Sequence, residues 1–150
     1  MTPAEDRLAL ARWEADRHAA VLDSALAAWA GRPPPRAEEL DDDAGLRQLT
    51  DQLLFRFMKL QDCIGERLVS ATLRRLAEPF EDRPMRDRLD RLEKLGYLNV
   101  DDWLRWRELR HRLAHEYPEA PELRLAHLVH AVQQAGEMLA AYRRWAARLG

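Results

Sequence analysis

The sequence predicts an all-α protein, an antiparallel bundle of about five helices. Three observations point there. Leu, Ala, Arg and Glu dominate, all strong helix formers, while β-branched residues are sparse. Apolar residues recur three and four apart over long windows. Proline falls at the ends of those windows or between them, never inside. A β-sandwich or a doubly wound sheet is excluded on the same grounds. At 150 residues and 47% hydrophobic, the chain suits a single domain over 1–150 with one core. With 33% charged residues, 6 Gly and 8 Pro, neither disorder nor a fibrous repeat fits.

The first helix is expected from about Pro3 to Trp29. Leu8, Ala11, Ala15, Ala19, Leu22, Leu26 and Trp29 form one stripe, and Gly31 with Pro33, Pro34 and Pro35 ends it. Residues 32–45 read as an internal linker loop, acidic from Glu38 to Asp43. The second helix is expected from about Leu46 to Glu78. Its stripe of Leu46, Leu49, Leu53, Phe57, Leu60, Ile64, Leu68 and Ala71 is the strongest periodic signal in the chain. Leu54, Met58, Leu73 and Leu76 widen that stripe, which makes this helix central, and Pro79 ends it. A short third helix starts near Pro84, turns Met85, Leu89, Leu92 and Leu95 inward, and stops at Gly96. Asn99 has the chemistry of an N-cap, with Asp101 and Asp102 placed to suit the helix dipole. The fourth helix then runs to about Tyr117 before Pro118, with Trp106, Leu109 and Leu113 as its core face. The fifth runs from about Pro121 to Arg148, with Leu128, Val132, Ala135, Leu139, Tyr142 and Ala146 inward.

Composition narrows the function classes. One cysteine, Cys63, excludes an intrachain disulfide framework. The charged stretch from Met1 to Asp16 has no signal-peptide apolar core, and no apolar run approaches the length of a membrane span. A cytoplasmic protein with no membrane association is expected. A net charge of −2 excludes a globally basic nucleic-acid binder but not a local basic patch.

Such a patch lies between Trp103 and Tyr117. Arg105, Arg107, Arg110 and Arg112 face one Glu108, together with His111 and His115. With Trp106, Leu109 and Leu113 inward, His111 and His115 fall together on the outer face of the helix. That face is polar and is expected to offer no cavity within one chain, so two chains are needed to enclose a ligand.

Several chemistries use histidines so spaced. The His111–His115 spacing suits a zinc pair, but a metalloprotease needs Glu at 112, where Arg112 stands. Glu108 with His111 makes half of a di-iron site, and the second Glu-x-x-His is missing from the chain. His127 and His130 can be added to the first pair, yet no metal is expected. Cys63, mid-helix between Asp62 and Ile64, reads as a small buried residue rather than a nucleophile. No Gly-rich phosphate loop is present, and no cofactor is implied.

RNA cleavage without metal remains. A histidine can take the proton of a ribose 2′-hydroxyl, and an arginine can stabilise charge growing on phosphate oxygens. His115 and Arg110 supply those roles. In this composition an Arg-x-x-x-x-His spacing arises by chance about 0.7 times, and a Tyr two places later lowers that to about 0.015. Two readings stand on the residues alone: an RNA-cleaving site, or a solvated arginine-rich helix end with Tyr117 partly packed.

At this segment the chain resembles the HEPN superfamily, specifically the HepT toxins of HepT–MntA toxin–antitoxin pairs. That family's motif is Arg, a polar residue, three residues, His, one residue, Tyr, and Arg110, His111, His115 and Tyr117 fall on it in register. His111 stands where Asn is commonest. The stretch Phe57-Met58-Lys59-Leu60-Gln61-Asp62 and the order of elements also resemble the family, over nearly the whole chain. The resemblance implies a homodimeric, metal-independent ribonuclease acting on tRNA or mRNA. Arg110 and His115 would be catalytic with His111 in support, and Arg107 and Arg112 would bind RNA. It further implies a partner, an MntA-like minimal nucleotidyltransferase antitoxin, which silences the toxin by transferring AMP to Tyr117. The alternative it leaves is a non-catalytic HEPN module that docks such a nucleotidyltransferase.

Overall fold

The computed structural model describes residues 1–113 and 120–150. The chain order is α1 (Pro3–Ala30), α2 (Glu39–Asp42), α3 (Ala44–Cys63), a π-helical turn (Ile64–Leu68), α4 (Val69–Arg75), α5 (Met85–Lys94), α6 (Val100–Leu113) and α7 (Pro121–Leu149). No strand occurs among the described residues, so the all-α expectation holds. No helix among them is long and apolar enough to cross a membrane.

α1 begins at a capping box. Thr2 Oγ1 accepts from the Glu5 amide at 3.1 Å, and the Glu5 carboxylate accepts from the Thr2 amide at 2.8 Å. Its stripe is buried at Leu8, Ala11, Ala15, Ala19, Leu22 and Ala25, with Leu26 and Trp29 partly covered. The small alanines let α1 lie close along α3, which is its main packing partner. The two run antiparallel: Ala11 lies against Cys63 and His18 against Arg56, so numbers fall along one helix as they rise along the other.

The expected linker over 32–45 is not wholly loop. It carries the one-turn helix α2, and Asp43 caps α3 by accepting from the Leu46 amide at 3.0 Å. The expected second helix is one continuous rod only in outline. At Ile64–Leu68 it widens to π geometry, with the Val69 amide reaching back to the Ile64 carbonyl. The wide turn brings Gly65 against α6, where an added Cβ would meet Trp103 Cζ2 at 3.1 Å. The rod also ends earlier than expected. Ala77 takes φ 57°, and the Glu78 amide closes onto the Leu73 carbonyl at 2.9 Å, a left-handed C-terminal cap. Leu76, expected on the apolar stripe, lies beyond the last helical residue and is exposed.

α5 follows the sequence closely, and α6 does so as far as Leu113; the expected end near Tyr117 and Pro118 lies outside the described residues. Leu89 and Leu92 are buried, and Gly96 at φ 86° lets the Tyr97 amide reach the Leu92 carbonyl at 2.9 Å. Asn99 Oδ1 accepts from the Asp102 amide at 2.9 Å, as its cap chemistry predicts. On α6 Trp103 is buried together with the expected Trp106 and Leu109. α7 covers the other side of the core with Leu128, Ala135, Leu139 and Tyr142, and also with Met138 and Trp145. Two buried indoles find acceptors: Trp106 Nε1 donates to Gln134 Oε1 at 3.1 Å, and Trp145 Nε1 donates to Thr72 Oγ1 at 3.0 Å.

Candidate functional site

α6 crosses α3 antiparallel, with Arg110 meeting Asp62 and Trp103 meeting Gly65. The π turn lies along the groove between them. A cavity of about 550 Å³ lies there, lined by Gln61, Asp62, Gly65 and Glu66 from the α3 side, by Trp103, Arg107, Arg110 and His111 from α6, and by Met85. This corrects the expectation that the outer face of α6 offers no cavity within one chain. The face is not flat because the widened turn of 64–68 and the side chains of Trp103, Arg107, Arg110 and His111 form the two walls of a groove, with Gly65 in close approach to Trp103 at its base.

Arg110 is half-buried, and its guanidinium donates to the Asp62 carboxylate. Both side chains keep partial solvent contact, 38% and 28%, so the ion pair adds at most about 1 kcal/mol to stability. Its consequence is orientation: it holds a cationic fork at the mouth of the cavity. Arg107 and His111 are exposed and line the same cavity. Arg112 does not line it; its guanidinium lies 3.5 Å from Glu108 along the helix surface. His115 and Tyr117 fall outside the described residues, so the structure brings together Arg107, Arg110 and His111 of the expected set.

Three features were not read as site residues. Trp103 and Met85 make the apolar wall. Asp62 supplies the counter-charge to Arg110. Gln61 is 3% exposed, and neither Nε2 nor Oε1 has a hydrogen-bond partner among the described residues. Leaving a buried amide unsatisfied costs about 1–3 kcal/mol for each orphaned group, so something other than stability accounts for Gln61. The signal was present in the sequence. Position 61 follows Phe57 by four and precedes Ile64 by three, which puts a polar side chain on the core face.

A second polar cavity of about 330 Å³ lies between α1 and α3, sharing Asp62 and Glu66 with the first. Arg67 Nη1 donates to both Glu14 oxygens at 2.5 Å across it. Burial pushes the Glu14 carboxyl up, and hydrogen bonds from Cys63 and Arg67 outweigh it, leaving it below its ordinary value. Burial pushes the Cys63 thiol up to about 12, so it is protonated, and its one S–H is shared between the Glu14 carboxylate and the Ala11 carbonyl, the latter at 3.5 Å. His18 is held below its ordinary value by burial and by the adjacent Arg56 guanidinium. Arg56 Nη1 lies 2.9 Å from His18 Nδ1, which makes Nδ1 the acceptor and puts the proton of the neutral ring on Nε2. Among the described residues no group of three or more His, Cys, Asp or Glu side chains is placed to hold a metal.

Comparison of the chain with family models, with curated proteins and with solved structures gives no match.

Proposed function

We propose that the chain is a metal-independent endoribonuclease of the HepT toxin type, with Arg110 and His111 on the C-terminal half of α6 and His115 just beyond it in the sequence as its catalytic groups. The observation that carries this reading is Arg110 held at the mouth of a cavity with Arg107 and His111 beside it. Three cationic or titratable groups on one wall, around a space large enough for a nucleotide, suit a phosphodiester.

In the proposed reaction the ribose 2′-oxygen attacks the adjacent phosphorus. The O2′–P bond forms, the P–O5′ bond breaks, and His115 takes the 2′ proton. The departing 5′-oxygen takes a proton from water, leaving a 2′,3′-cyclic phosphate and a 5′-hydroxyl. Arg110 stabilises the charge building on the non-bridging oxygens, and Arg107 and Arg112 hold flanking phosphates. His111 supports from the cavity wall. A homodimer would pair two such sites, and an MntA-like nucleotidyltransferase partner would silence them by adding AMP to Tyr117. The place of action under this reading is the cytoplasm.

The test is incubation of the purified chain with total tRNA and with mRNA in the presence of EDTA. Fragments ending in cyclic phosphate are expected. Intact RNA at micromolar protein would instead favour a non-catalytic module that docks a nucleotidyltransferase.

A further inference from the structure

We propose that the cavity between α3 and α6 is an adenine pocket, read by the side-chain amide of Gln61. The inference rests on the ribonuclease reading and adds a substrate preference to it. The starting observation is the orphaned amide. Gln61 is buried on the core side of α3, lines the cavity, and satisfies neither its N–H donors nor its carbonyl oxygen among the described residues. A side chain in that state is matched by a ligand that presents an acceptor and a donor side by side.

Adenine presents that pair. Its ring nitrogen accepts and its exocyclic amine donates, the edge that a glutamine amide engages through two hydrogen bonds. The neighbouring wall sharpens the choice. Asp62 and Glu66 are acceptors when ionised, so the rim favours the amine edge of adenine or cytosine over the carbonyl edges of uracil and guanine, and the room for a purine selects adenine of the two. Trp103 and Met85 give the base an apolar and aromatic surface. The volume, about 550 Å³, leaves room for a purine and its ribose.

Entry is coupled to the phosphate. The Gln61 amide atoms are shielded from water, and the next residue, Asp62, is tied to Arg110. A phosphate that draws Arg110 away from Asp62 loosens the wall beside Gln61, and the base then reaches the amide from within the cavity. The π turn that follows is a wide, irregular segment of helix suited to such an adjustment.

The test is tryptophan fluorescence of the whole chain titrated with AMP, adenosine, GMP, CMP and UMP, since Trp103 lines the cavity. AMP is expected to bind at least tenfold more tightly than adenosine or any of the other three nucleotides. Gln61→Leu is expected to lose that preference and to melt no lower than the wild type. Gln61→Met, a second apolar replacement, guards against a folding defect in the first. RNA cleavage by the wild-type chain is scored in parallel. Selective AMP binding that both variants lose, without any cleavage, supports the adenine pocket and overturns the ribonuclease reading. Cleavage with no selective AMP binding, or a preference for another base, or an AMP preference unchanged in both variants, overturns the adenine pocket and leaves the ribonuclease.

Discussion

Arg110 on α6 gives its guanidinium to Asp62 on α3 at the mouth of a cavity that both residues line. Under the proposed function a phosphate oxygen would take the place of the Asp62 carboxylate. Carboxylate and phosphate each present two oxygens to the planar fork of an arginine. Asp62 thus keeps Arg110 oriented, and a phosphodiester bound there would have to displace it.

Asp62→Asn removes that competitor. The pair is partly solvated and contributes little stability, so the variant is expected to fold as the wild type does. Its affinity for single-stranded RNA is expected to rise several-fold at low salt. The slope of log affinity against log salt should steepen by about one contact. Fluorescence anisotropy of labelled RNA across a salt series checks this, and an unchanged slope would detach Asp62 from the RNA site.

Ala77 holds a left-handed conformation that glycine adopts without steric cost. Ala77→Gly is expected to stabilise the chain by about 1 kcal/mol, raising its melting temperature by about 2–4 °C. Thermal unfolding followed by circular dichroism decides it. A lower melting temperature would mean that the turn after Arg75 is not held in this conformation.

His18 gives a pH dependence of known sign. Its folded-state value lies below the ordinary 6.5, so the unfolded chain binds more protons as the pH drops through that value. The stability it contributes is full above 6.5 and is lost as pH falls below it toward the folded value. His18→Gln is therefore expected to flatten the stability profile between about pH 7 and 5. Urea unfolding at several pH values measures it, and equal slopes in both proteins would refute the placement of His18 against Arg56.

How far the sequence carries can be judged at particular residues. The helical stripes were legible because burial follows helical spacing, and Leu46, Leu53, Phe57, Leu60, Ile64, Leu68 and Ala71 are all buried. The cap at Asn99 was legible because its geometry is local. The π turn was not, since a register change of one residue leaves the apolar repeat almost unaltered. Nor was the end of α4. Nothing in an alanine announces a positive φ, and Pro79 stood as the obvious stop. At the site, Arg107, Arg110 and His111 were read from one helix, whereas Asp62 and Gln61 come from another. Their meeting depends on how two helices cross, which spacing along either one does not encode.

The most direct measurement is cleavage of a defined single-stranded RNA by the wild-type chain and by Arg110→Ala, in EDTA, with the product ends identified by mass. The wild type is expected to leave a 2′,3′-cyclic phosphate and a 5′-hydroxyl. Arg110→Ala is expected to cut more slowly by about a hundredfold or more, a barrier increase on the order of 3 kcal/mol. Wild-type cleavage that stops on chelation, or an Arg110→Ala chain that cuts as fast as the wild type, would contradict the role given to α6.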